Sequence, residues 1–98
     1  MNQKKTENKE RARHPAVAFT DHGWEDYEYW QKEDAKQRFK INDLIDACIA
    51  DPVTGIGKPE PLKGNLAGLW SRRIDREHRL VYAVEDGVIY VVACRYHY

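Results

Sequence analysis

No apolar run in this chain reaches the length needed to span a bilayer, and its first residues are polar where a secretory signal would carry an apolar stretch. The sequence therefore predicts a cytoplasmic protein with no membrane partner. It also lacks a glycine-rich phosphate loop and any internal repeat, which sets aside nucleotide-cradling enzymes and repeat architectures. Cysteine is scarce: Cys48 and Cys94 each sit in an apolar pattern without metal-ligand spacing, so buried free thiols are expected rather than a disulfide. His14, His22, His78 and His97 are scattered, so the sequence calls for no metal and no cofactor. A second core is excluded too, because 98 residues suffice for one domain.

Net charge is also absent, with 16 basic residues against 16 acidic ones, but the balance is local rather than uniform. Residues 1–13 carry five Lys/Arg and two Glu, a surplus of +3. Residues 14–56 carry four basic and nine acidic residues (−5), and residues 57–98 seven and five (+2). A local basic patch attracts phosphates even on a neutral chain.

Residues 1–15 are polar and without periodicity, and are expected to be a disordered extension ahead of a domain spanning 16–98. Pro15 to Phe19 reads as a short strand. Thr20 is placed to cap a helix to Glu33, with Asp21 in the first turn. Trp24, Tyr27 and Trp30 share a face of that helix and are assigned to the core; Glu25, Asp26 and Glu28 are assigned to solvent. Asp34 can cap a second helix to about Asp51, where Ile41, Leu44, Ile45, Cys48 and Ile49 form the clearest amphipathic pattern in the chain. Pro52 ends it.

From Leu66 the period changes to that of strands. Three are expected: Leu66–Ile74, His78–Glu85 and Val88–Arg95, the last two joined by the Asp86-Gly87 pair of a two-residue hairpin. Alternation puts Leu80, Tyr82 and Val84 on one face of the second strand and Arg79, Val81 and Ala83 on the other. The fold class predicted is α+β: a small, twisted, largely antiparallel sheet with two N-terminal helices on one face and a basic second face.

The stretch Gly57-Lys58-Pro59-Glu60-Pro61-Leu62-Lys63 stands out from the rest. Each proline fixes its own φ and pushes the preceding residue to extended geometry, which keeps Glu60 out of a helix or a central strand. Arg72, Arg73, Arg76, Arg79 and Arg95 follow, and the sequence closes on Arg95-Tyr96-His97-Tyr98. A held carboxylate, clustered guanidiniums and a histidine form a set able to cut RNA without a metal. In that chemistry Glu60 takes the proton of the attacking 2′-hydroxyl, and His97 protonates the departing 5′-oxygen. Arg79, with Arg73 and Lys63, holds the phosphate oxygens, and Tyr98 packs beside His97.

Five blocks carry a resemblance to a known family: Trp24-Glu-Asp-Tyr-Glu-Tyr-Trp30, Gly57–Lys63, Leu69-Trp-Ser-Arg-Arg-Ile74, Glu77-His-Arg-Leu-Val-Tyr82 and Ala93-Cys-Arg-Tyr-His-Tyr98. Together they resemble the YoeB/Txe family of the RelE/ParE superfamily over about Ala16 to Tyr98. That resemblance implies a type II toxin that cleaves mRNA at the codon in the ribosomal A site. It implies as partners the 70S ribosome, mRNA and a cognate YefM/Phd-type antitoxin, with a homodimer left open. The family's base, phosphate-binding arginine and acid fall on Glu60, Arg79 and His97; Lys63, Arg73 and Tyr98 take its supporting positions. Residues before Ala16 depart from the family pattern, and Gly23 is unusual so early in a helix. Two other readings share these residues: a ParE-like inhibitor of DNA gyrase that cuts nothing itself, and a non-catalytic RNA-binding module.

Overall fold

The computed structural model describes residues 16–96; the expected extension at 1–15, and His97 and Tyr98, lie outside the described residues. Strand β1 is Val17–Phe19, followed at once by helices α1 (Asp21–Glu33) and α2 (Ala35–Ala50). The caps are those the sequence offers. Thr20 accepts a hydrogen bond from Gly23 N at 3.0 Å, and its hydroxyl reaches the Val91 and Val92 carbonyls at 3.3 Å. Asp34 ends α1 and starts α2, accepting from Lys36 N and Gln37 N. Gly23 has a reason of its own: a Cβ there would lie 2.2 Å from the Val91 carbonyl oxygen, so only glycine lets α1 lie this close to the sheet.

Four more strands follow, β2 (Glu60–Pro61), β3 (Trp70–Arg73), β4 (Arg79–Glu85) and β5 (Val88–Ala93), giving the sheet order β1-β5-β4-β3-β2. Only β1 and β5 run parallel; the other pairings are antiparallel, as expected. Asp86 and Gly87 have φ of +50° and +79°, the two left-handed residues that a two-residue hairpin turn requires. Ile41, Leu44, Ile45 and Cys48 from α2 and Trp30 from α1 meet Ile74, Leu80, Tyr82, Ile89 and Val91 of the sheet in one core. Cys48 and Cys94 are buried free thiols.

Three expectations need correction. Strand β3 begins at Trp70 rather than Leu66, because Leu66, Ala67 and Leu69 donate their N–H groups three residues back in tight turns, not across a ladder. Strand β5 stops at Ala93 rather than Arg95: Cys94 N donates to the Asp26 carboxylate at 3.0 Å, and Cys94 O accepts from Trp30 Nε1 at 2.8 Å. Asp26 is therefore buried, not on the solvated face, and its carboxylate replaces a ladder partner.

Candidate functional site

The segment ahead of β2 runs antiparallel to β3. Gly57 O accepts from Arg73 N at 2.7 Å, Glu60 pairs with Ser71, and Leu62 N donates to Leu69 O. Gly57 (φ +84°) lies where a Cβ would crowd Leu44 and Arg72, so the chain hugs the sheet edge there before the prolines straighten it. Pro59 and Pro61 sit on an edge strand, where a missing N–H costs no ladder bond. Glu60 is exposed on that edge.

Register assigns each candidate to a face. Arg72 pairs with Leu80 and points into the core, while Arg73 pairs with Arg79, and Ser71 with Val81, on the opposite face of the sheet, where Ser71 and Val81 are themselves buried. Because Glu60 pairs with Ser71, it shares that face. Ladder spacing puts the Glu60 and Arg79 Cα atoms about 12 Å apart, two strands across and two residues along. Directly opposed like charges destabilise a sheet. Among the described residues, no carboxylate forms an ion pair with Arg73 or Arg79. An opposed arginine pair of this kind suits an anion bridging the two strands.

Arg79 is half-buried, and its Nη1 donates to the Asp75 and His78 carbonyls at 2.7 and 3.0 Å, which fixes the guanidinium. Lys63 is exposed three residues beyond Glu60, in extended conformation just before the 3-10 turn Gly64–Leu66. The rest of the arginine run is dispersed. Arg72 is 0% exposed and donates to Tyr82 Oη and to the carbonyls of Asp51, Thr54 and Ile56. Arg95 stacks on Tyr29 of α1, with its guanidinium carbon 3.6 Å from the ring centroid. Arg76 lines a cleft of about 490 Å³ whose wall also includes Arg73 and, from α2, Lys40, Asp43 and Leu44. Of the five arginines, the ladder sets Arg73 directly opposite Arg79.

His97 and Tyr98 lie outside the described residues, but the residue before them is well tied. Tyr96 N donates to His78 Nδ1 at 2.7 Å, and Tyr96 O accepts from Arg79 N at 3.1 Å. Sequence reasoning passed over His78 and Asp75. Their signal was Asp75 three residues before His78: its carboxylate accepts from the Glu77 and His78 N–H groups, closing the turn between β3 and β4. Burial would raise the Asp75 pKa, but hydrogen bonds from the Gln37 side chain and from the His78 and Glu77 amides outweigh it and hold the carboxyl below its ordinary value. Among the described residues no cluster of His, Cys, Asp and Glu could hold a metal ion, and no helix is long and apolar enough to cross a membrane.

Two helices on one side of a mixed five-stranded sheet, with a basic, carboxylate-flanked face on the other, form the α+β fold of the RelE/YoeB-like toxins. The match within that class is specific. Residues 19–98 fit the YoeB-like toxins of bacterial type II toxin–antitoxin systems, and the chain belongs to that family. Toxin YoeB of Streptomyces coelicolor is 55% identical over 82 residues, covering 84% of this chain and 98% of that one. A YoeB/ParE toxin from Agrobacterium tumefaciens superposes with a TM-score of 0.80 at 51% identity, covering 84% of this chain and 98% of that one. The YoeB of a Staphylococcus aureus YoeB–YefM complex does so at 0.79 and 47% identity, covering 84% and 95%. A YoeB dimer from the same organism gives 0.78 at 48% identity, with the same coverage.

Proposed function

We propose that this toxin is a ribosome-dependent endoribonuclease that cuts mRNA at the A-site codon by general acid–base catalysis. The observation that carries the reading is the opposed Arg73–Arg79 pair sharing a sheet face with Glu60. Glu60 takes the 2′-hydroxyl proton, and the 2′-oxygen attacks the adjacent phosphorus. Arg79 and Arg73, aided by Lys63, stabilise the negative phosphorane. As the bond to the 5′-oxygen breaks, His97 supplies that oxygen with a proton and Tyr98 supports the imidazole. The products are a 2′,3′-cyclic phosphate and a 5′-hydroxyl. A YefM-type antitoxin silences the activity, and the toxin also self-associates; the S. aureus relatives solved with YefM and as a dimer support both statements.

Primer extension on an mRNA translated in a purified system, with and without ribosomes, tests the reading. Cuts within codons that require ribosomes are expected, as is complete block by a 2′-deoxy substitution at the cut nucleotide. Equal cutting of free RNA, normal cleavage of the deoxy substrate, or DNA breaks dependent on gyrase would overturn it.

A further inference from the structure

Tyr96 stands in a conformation that its own side chain disfavours. Its φ is +65°, in the left-handed region that L-residues other than Gly, Asn and Asp seldom enter. Such a residue persists where its surroundings over-determine it. Here both peptide groups of Tyr96 are tied to two consecutive residues at the start of β4. The amide donates to His78 Nδ1 at 2.7 Å, and the carbonyl accepts from Arg79 N at 3.1 Å.

Since a backbone N–H must donate, Nδ1 carries no proton, and the imidazole proton sits on Nε2. The ring is fixed from every side. It is 8% exposed, stands edge-on to Trp30 with centroids 4.8 Å apart, and lies 5.5 Å from the Tyr96 ring. Its backbone is fixed too. His78 N donates to Asp75 at 2.7 Å, and Gln37 of α2 donates to the same carboxylate at 2.7 Å. The His78 carbonyl accepts from Arg79 Nη1. One residue thus touches both halves of the site: its carbonyl holds the Arg79 guanidinium, and its imidazole holds the amide of Tyr96, the residue before His97.

We infer that His78 is a positioning residue whose Nδ1 fixes the chain at Tyr96, the residue that precedes His97, relative to Arg79. This inference rests on the reading of His97 as the acid. A displacement of about 1 Å at a reacting group can cost on the order of 100-fold in rate. The role belongs to the acceptor at the δ position rather than to the bulk of the ring, and three substitutions separate the two. His78→Phe keeps a ring against Trp30 without an acceptor. His78→Asn puts an amide oxygen near the place of Nδ1. His78→Gln carries its oxygen one bond too far.

The test measures cleavage at saturating ribosomes, the ribosome concentration for half-maximal rate, and exchange of the Tyr96 amide with solvent by NMR. For Phe and Gln the maximal rate should fall about 100-fold, with half-saturation unchanged and the Tyr96 amide exchanging faster. The Asn variant should recover to within about threefold of wild type, with its Tyr96 amide protected. A Phe variant as fast as wild type, or an Asn variant as slow as Phe, overturns the inference. If wild type cuts nothing, the proposed function fails instead. Amide exchange then still decides the clamp, because equal protection in Phe and wild type would refute it.

Discussion

Replacing Arg72 by methionine should cost this fold a large part of its stability, although arginine is the residue type least expected in a core. The guanidinium is 0% exposed and makes four hydrogen bonds: Nε to Tyr82 Oη at 3.2 Å, Nη1 to Ile56 O at 2.8 Å, and Nη2 to Asp51 O and Thr54 O at 2.7 and 2.8 Å. A hydrogen bond to a charged group contributes about 1.5–3 kcal/mol, but the four do not add. Asp51, Thr54 and Ile56 are exposed and can turn their carbonyls to water, and the variant no longer buries a charge. The Tyr82 hydroxyl cannot turn away, since it is bound inside to Pro52 O at 2.6 Å. The net loss should be about 2–4 kcal/mol, against a total of about 5–15 kcal/mol for a domain of this kind. Melting should drop by roughly 10–30 °C.

Urea unfolding of wild type, Arg72→Met, Tyr82→Phe and the double variant gives both the cost and the coupling. Tyr82→Phe alone should cost about 1–2 kcal/mol, and the double variant less than the sum by at least about 0.5 kcal/mol. Arg72→Met within about 0.5 kcal/mol of wild type would show that the four bonds merely replace equivalent bonds to water, and would refute the reasoning.

Single-turnover cleavage should fall about 10²–10⁴-fold for Glu60→Gln and His97→Gln with folding intact, and at least as far for Arg79→Ala. A Glu60→Gln rate within threefold of wild type would remove the base assignment. Stability should fall on the alkaline side. Burial pushes the Tyr82 hydroxyl up to about 12 from an ordinary 10, so the folded state holds that proton more tightly, and stability is lost as pH rises from about 10 toward 12. Burial raises the Cys48 thiol, and burial with nearby Asp26 raises that of Cys94, so both add losses above about pH 9. Urea midpoints for Tyr82→Phe should fall less steeply above pH 10 than those of wild type, with the cysteines' share remaining, and an unchanged slope would assign the limb elsewhere. Gly23→Ala should destabilise by about 1–3 kcal/mol despite alanine's better helix propensity, because its Cβ meets the Val91 carbonyl oxygen at 2.2 Å. A raised melting temperature would contradict that.

The fold was legible wherever a local signal decides a local structure. Thr20 and Asp34 cap because their side-chain oxygens suit free helix N–H groups; Asp86-Gly87 turns because both positions need positive φ. Boundaries set by distant partners were not legible. Nothing near Cys94 says that its N–H leaves the ladder for Asp26, 68 residues earlier in the chain. Asp26 itself lies between acidic neighbours and looks solvated until Cys94 arrives.

The site shows the same division within a single dipeptide. Arg72 and Arg73 are chemically identical, and composition places both in one basic cluster. The pleat sends them to opposite faces, and the pairing of β3 with β4 then fixes their tasks. Arg72 sits opposite Leu80 and anchors the loop that leads to Glu60, whereas Arg73 sits opposite Arg79 on the face proposed to bind RNA. Arg79 was readable because Leu80 and Tyr82 flank its strand alternation with obvious core residues. Strand β3 holds only four residues, Trp70 to Arg73, with two buried in succession, so its parity could not be read. A one-residue slip would bury Arg73 and expose Arg72. It would break the loop anchor and dissolve the opposed pair in the same step. The register that stabilises the sheet is thus the one that assembles the candidate site, and a misregistered sheet would have neither.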